Sequence, residues 1–91
     1  MPKSIRYRTV PSVHRARGAG FSVERRLDEG PWTPLQWGRY IHHYGTLKEA
    51  AHAIKSAAQA DLAACTRLGL KAQFEIPIPN ETDPWATVNV L

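Results

Sequence analysis

Ninety-one residues, 43% hydrophobic and 22% charged, have the composition of an ordinary single folded domain over 1–91. A chain this short buries only roughly 60–65% of its unfolded surface, which argues against a thick core or a deep private active site. The formal charge is +4 and uneven: residues 1–17 hold Lys3, Arg6, Arg8, Arg15 and Arg17 without an acid, while 72–91 hold Glu75, Glu81 and Asp83 without a base. The amino-terminal end should therefore attract anionic partners such as nucleic acid, acidic protein surfaces or ribonucleoprotein.

Cys65 is the sole cysteine, so an internal disulfide is excluded and the fold suits a reducing cytoplasm. No charged n-region precedes an apolar h-region, and no apolar run approaches the length of a membrane span. Neither a secretory signal nor membrane association is expected.

Ser4 to Val10 alternates, with Ile5, Tyr7 and Thr9 on one side and Arg6 and Arg8 on the other, the pattern of a half-buried strand with a basic outer face. Pro11 should end it, because proline lacks the ladder donor. Pro11 to Gly20 then reads as a basic, glycine-containing binding loop. Phe21 to Leu27 alternates again, placing Phe21, Val23 and Leu27 against Ser22, Glu24 and Arg26. Asp28-Glu29-Gly30-Pro31 signals a turn, Trp32-Thr33-Pro34 a stiff continuation, and Leu35 to Tyr44 a third strand. In that strand Leu35, Trp37 and Ile41 should point inward, and Gln36, Tyr40 and His42 outward.

Thr46 and Glu49 form a Thr-x-x-Glu capping box, in which the carboxylate should reach back to the amide of residue 46. The helix it opens should cover about 47–68. Leu47, Ala51, Ile54, Ala58, Leu62, Cys65 and Leu68 recur at steps of three and four and make its apolar face. Lys48, His52, Lys55 and Gln59 make a polar stripe without an acid, and Gly69 is the natural terminator. Gln73 to Ile78 is a further strand, which Pro77 places at a sheet edge. Trp85 to Leu91 is either a last strand or a loosely packed tail. The predicted fold is α+β: an antiparallel sheet of three to five strands against one long helix, in the order β-β-β-α-β with a possible terminal strand. The expected core is Ile5, Tyr7, Phe21, Val23, Leu35, Trp37, Ile41, Ile54, Ala58, Leu62, Cys65, Phe74 and Ile76.

Chemistry-bearing patterns are sparse. His42 and His43 are adjacent on a strand and point to opposite faces, and His14 and His52 lie apart in sequence, so no metal is expected. Cys65 sits in the apolar stripe, and no Gly-x-Ser-x-Gly surrounds a serine, so nucleophilic catalysis is not expected. Gly18-Ala19-Gly20 lacks the third glycine and the following helix of a dinucleotide loop, and no cofactor is expected. Arginine, at eight against four lysines, suits bidentate contacts to phosphate or carboxylate. Arg6, Arg8, Arg15, Arg17 and Arg26, with Tyr40, are the candidate partner-binding set. For nucleic acid the candidates are Arg6, Arg8, Arg15, Arg17, Lys48 and Lys55.

The hairpin followed by Gly45, Thr46, Glu49, Ala50 and Ala53 resembles, over residues 21–60, the arm-type DNA-binding domain of tyrosine integrases. That resemblance implies a three-stranded sheet whose face enters the major groove. In size and architecture the chain is also similar to small proteins of phages and mobile elements, including anti-CRISPR proteins. That likeness implies a non-enzymatic inhibitor in the cytoplasm of a bacterial host, binding and occluding a host protein or ribonucleoprotein complex. A basic nucleic-acid-binding module is the second expectation. A third is an assembly protein whose edge strands pair with a neighbouring copy, and a homodimer would enlarge so thin a core.

Overall fold

The computed structural model describes residues 3–37, 40–75 and 84–91. In chain order the elements are β1 (Ser4–His14), β2 (Gly18–Leu27), β3 (Thr33–Pro34), β4 (Gln36–Trp37), β5 (Tyr40–Ile41), α1 (Leu47–Arg67), β6 (Ala72–Glu75) and β7 (Trp85–Val90). The fold is α+β, as the alternation and the capping box predict. A five-stranded antiparallel sheet runs in the order β3-β2-β1-β7-β6, with α1 against one face. The last strand lies inside the sheet, between β1 and β6, rather than forming a tail.

Pro11 does not end β1. Strand β1 continues to His14, with Pro11 opposite Phe21, so the expected loop over 11–20 is a continuous hairpin turning only at residues 15–17. The Ser4 carbonyl accepts from the Asp28 amide at 2.9 Å, which shows that even-numbered residues of β1 direct their backbone polar groups towards β2. The Lys3 carbonyl accepts from the Val90 amide at 2.8 Å, so odd-numbered residues face β7. Pro11 is odd, and β7 pairs with β1 only as far as Arg8. The missing N–H therefore points to an edge where no described strand requires a donor.

The third expected strand is also different. Leu35 to Tyr44 folds back on itself: β4 pairs with β5, Gln36 opposite Ile41 and Trp37 opposite Tyr40. The fold-back breaks the inward parity expected of a single strand, and Ile41 is 53% exposed rather than part of the core. The segment rejoins the sheet through Tyr44, whose N–H donates to the Phe21 carbonyl at 2.7 Å and whose carbonyl accepts from the Phe21 amide at 2.8 Å.

Helix α1 begins where the capping box predicts. Thr46 Oγ1 accepts from the Glu49 amide at 3.2 Å, but the Glu49 carboxylate accepts from the amide of Gly45 at 3.3 Å, one residue before the expected Thr46. At the other end Gly69 has φ +76°, the Leu70 amide donates to the Cys65 carbonyl and the Gly69 amide to the Thr66 carbonyl. This is a Schellman closure, which needs a left-handed residue at that position.

The core lies between α1 and the sheet. Ile5, Tyr7, Val23, Ala86 and Val88 supply the strand side, and Ala50, Ile54 and Ala58 the helix side. Alanines at three of these positions let helix and strands approach closely, and each larger aliphatic chain buried contributes roughly 1.5–3 kcal/mol. Cys65 is a free, buried thiol. Phe21, Leu35 and Leu62 are partly buried against the cluster. Leu68, expected on the apolar stripe, is exposed because it is the C-cap, one residue past the end of the helix at Arg67. Ala50, Ala86 and Val88 belong to the core although they were not expected there. The side chains of Trp37 and Phe74, and all of Ile76 to Ile78 with Pro77, lie outside the described residues. Among the described residues, no helix is long and apolar enough to cross a membrane.

Candidate functional site

The helix covers one face of the sheet, and the opposite face carries the arginines. Ile5 and Tyr7 are buried under α1, so their alternating neighbours Arg6 and Arg8 project from the other side, both exposed. Register then fixes two cross-strand rows on that open face. Trp85, Arg8, Glu24 and Pro34 form one, and Thr87, Arg6 and Arg26 the other.

Arg8 is the centre of the first row. Its Nε donates to Glu24 Oε1 at 2.8 Å and its Nη2 lies 2.7 Å from the same oxygen. Its guanidinium carbon also stands 4.2 Å from the centroid of Trp32, a cation–π contact. Arg26, directly opposite Arg6, approaches Trp32 at 5.7 Å and pairs with Glu29 at 3.0 Å, which supplies it with a countercharge. Like charges facing each other across a ladder are unfavourable, and this second partner relieves the pair. Arg6 has no ion pair among the described residues.

The indole of Trp85 is 41% exposed at the first residue of β7. The residue before it is anchored: Pro84 is buried, and its carbonyl accepts from Thr9 Oγ1 at 3.2 Å.

The hairpin tip supplies the remaining cations. His14 Nδ1 accepts from the amides of Ala16 and Arg17 at 3.1 and 3.2 Å, closing the turn. Gly18 follows at φ +79°, where a side chain would be strained. Residues 13–19 are all exposed, and Arg15 and Arg17 have no ion pair among the described residues. Arg6 and Arg15 are nine residues apart on one extended hairpin, roughly 30 Å, with no Lys or Arg between Arg8 and Arg15.

Of the expected binding residues, the structure brings Arg6, Arg8 and Arg26 to one face and sets Arg15 and Arg17 at its far end. Lys48 and Lys55 are exposed on the outer side of α1, across the molecule from the arginine face. They do not join it. Tyr40 lies in β5 opposite Trp37, and its side chain is outside the described set. Trp32 and Trp85 complete the face. Trp85 was legible in the alternation of Trp85, Thr87 and Asn89 against Ala86, Val88 and Val90.

A second polar cluster faces the helix. Arg25 donates through Nε to Asp61 Oδ2 at 3.0 Å and through Nη2 to Asp61 Oδ1 at 2.9 Å, and the Tyr7 hydroxyl donates to Asp61 Oδ2. Burial raises the Asp61 carboxyl above its ordinary value and lowers that of the Arg25 guanidinium. The cluster bridges α1, β1 and β2. Its place is in the fold: Arg25 lies opposite Tyr7 in the ladder and faces the helix, not the arginine face.

Among the described residues, no group of three or more His, Cys, Asp or Glu side chains is placed to hold a metal ion.

Comparison with known proteins adds no family. No family model, no curated protein and no solved structure matches the chain. The functional argument therefore rests on the open face alone.

Proposed function

We propose that the chain is a non-enzymatic binding module that contacts nucleic acid through the open face of its sheet and the tip of the β1–β2 hairpin. The observation carrying this reading is the juxtaposition of Arg6, Arg8, Trp32 and Trp85 on a sheet face that α1 leaves uncovered, with Arg15 and Arg17 exposed at the hairpin tip. Guanidinium groups suit phosphate oxygens, and an exposed indole such as that of Trp85 suits a base plane. The excess of cations in residues 1–17 and the net charge of +4 favour an anionic polymer over a neutral partner.

Fluorescence anisotropy with labelled DNA and RNA, titrated across salt, tests the proposal. Affinity should fall linearly in log salt, because each neutralised phosphate releases condensed counterions. Reversing Arg6, Arg15 and Arg17 together to glutamate should abolish binding, since these three arginines carry no ion pair among the described residues. Absence of binding to every nucleic acid at low salt overturns the proposal.

One observation favours a second reading, an inhibitor of anti-CRISPR type that occludes a host protein complex. Arg8 and Arg26 are already paired with Glu24 and Glu29 and stacked on Trp32, so the middle of the face is largely neutralised. Pre-ordered arginine and tryptophan are the residues that dominate protein–protein hot spots. This reading predicts a partner whose affinity for the chain depends only weakly on salt and is lost on truncating Trp32 or Arg8.

A further inference from the structure

We infer that the open face takes single-stranded rather than duplex nucleic acid, and that an unpaired base stacks on Trp85; the inference rests on the nucleic-acid reading above and specifies its ligand. The two indoles of the face are in different states. Trp32 is engaged by Arg8 at 4.2 Å and by Arg26 at 5.7 Å, so its ring serves to hold guanidinium groups in place. Trp85 has no ring or cation contact among the described residues and remains 41% exposed. A large aromatic ring held on a rigid strand and left in water is unfavourable for the free chain, and a stacking partner would remove that exposed surface.

Its position is fixed rather than incidental. Trp85 opens β7 directly after the buried Pro84, whose carbonyl is held by Thr9. It stands opposite Arg8 in the ladder. Even-numbered residues of β1 direct their backbone groups towards β2, so Arg8 and Trp85 are a non-hydrogen-bonded pair, the kind whose side chains lie closest. Arg6 lies one row further along the same strand face. An exposed indole, a guanidinium stacked on Trp32 and a guanidinium with no ion pair among the described residues are thus neighbours on one face of the sheet. Base plane and phosphate can be met together there.

A duplex does not use this arrangement. It presents base edges within a groove and hides base planes in its stack. Only an unpaired strand offers a π-face to Trp85. Charge complementarity selects the polymer, and the free indole selects its strandedness.

The experiment compares a labelled oligothymidylate of about 15 nucleotides with a duplex of the same length by anisotropy at one salt concentration. The oligothymidylate should bind at least about tenfold more tightly. Trp85→Ala should weaken it by roughly five- to a hundredfold while leaving duplex affinity unchanged, and Trp85→Phe should retain most of the affinity. Photo-crosslinking of the unaltered chain to a bromouracil-substituted oligonucleotide, mapped by mass spectrometry, needs no variant to fold and should place the adduct at Trp85. Equal or tighter duplex binding, an unchanged affinity in a folded Trp85→Ala chain, or adducts confined to residues 15–17 would overturn the inference while leaving the nucleic-acid reading standing. Failure of every probe to bind would overturn that reading itself.

Discussion

Arg25 on β2 grips Asp61 on α1 with two hydrogen bonds, Nε to Oδ2 at 3.0 Å and Nη2 to Oδ1 at 2.9 Å, and Tyr7 on β1 reaches the same carboxylate. One side chain of the helix thereby ties together the two strands that carry the basic face. The pair sits at the side of the core, with 30% of the Arg25 side chain and 22% of the Asp61 side chain accessible. Its role is to fix the position of the helix on the hairpin.

Removing the carboxylate strands the guanidinium. Asp61→Ala leaves Arg25 without its acceptor in a half-buried setting and the Tyr7 hydroxyl with only the longer bond to the Ala57 carbonyl at 3.4 Å, and should cost about 2–3 kcal/mol. In a domain of this size that lowers the melting temperature by roughly 8–20 °C. Asp61→Asn keeps one acceptor oxygen and should cost about 1 kcal/mol. Thermal melts followed by circular dichroism separate the two. Equal stability of Asp61→Ala and the parent chain would show that the network holds nothing.

The same carboxyl sets a pH dependence. Burial raises its pKa above the ordinary 3.8, so the folded chain holds this proton more tightly than the unfolded chain. The group's contribution is fully present below about 3.8 and is lost as pH rises through the higher folded value. The stability of the parent chain relative to Asp61→Asn should therefore decline over that window, measured by urea unfolding at a series of pH values. A carboxyl carbon titrating by NMR below the ordinary value would reverse the sign and refute the prediction.

Much of this architecture was readable from local pattern. The period-2 alternation of Ile5, Tyr7 and Thr9 and of Phe21 and Val23 sets the two long strands, and the box at Thr46 and Glu49 sets the start of the helix. What escaped depended on contacts distant in sequence. Pro11 continues its strand because β7, more than seventy residues later, stops pairing at Arg8. Ile41 left the core because the segment before it folds back as β4 and β5. The Arg25–Asp61 pair did leave a trace. Arg25 shares the parity of Phe21 and Val23, and Asp61 lies on the stripe of Ile54, Ala58 and Cys65, so two opposite charges occupied inward positions. The open face required the register of β7 on β1, since only that register puts Trp85 beside Arg8.

The helix start gives a smaller test. Thr46 Oγ1 accepts the Glu49 amide at 3.2 Å on an exposed helix end, so water can replace it in part. Thr46→Ala should cost about 1 kcal/mol, and Thr46→Ser should restore most of it. Denaturant midpoints with unchanged slope would assign the loss to the native helix.

Gly20 marks the tightest approach in the hairpin. A Cβ built there would lie 2.5 Å from the Tyr44 carbonyl oxygen, 2.5 Å from His43 Cε1 and 2.6 Å from His43 Nε2. The ring could rotate away, but the Tyr44 carbonyl is held by the Phe21 amide at 2.8 Å and cannot move without breaking the bridge between β2 and the segment leading into α1. Gly20 has no positive φ, so the constraint is space rather than backbone conformation. Gly20→Ala should therefore destabilise the chain by about 1–3 kcal/mol through overpacking. Gly45→Ala, where no atom lies within 4 Å of the added carbon, should be nearly neutral. Hydrogen exchange distinguishes a local from a global effect. In Gly20→Ala the amides of Phe21 and Tyr44 should lose protection more than those of Ile54 and Ala58, because the damage is done at the bridge and not in the core. Matching losses at all four amides would mean that the bridge and the core open as one unit.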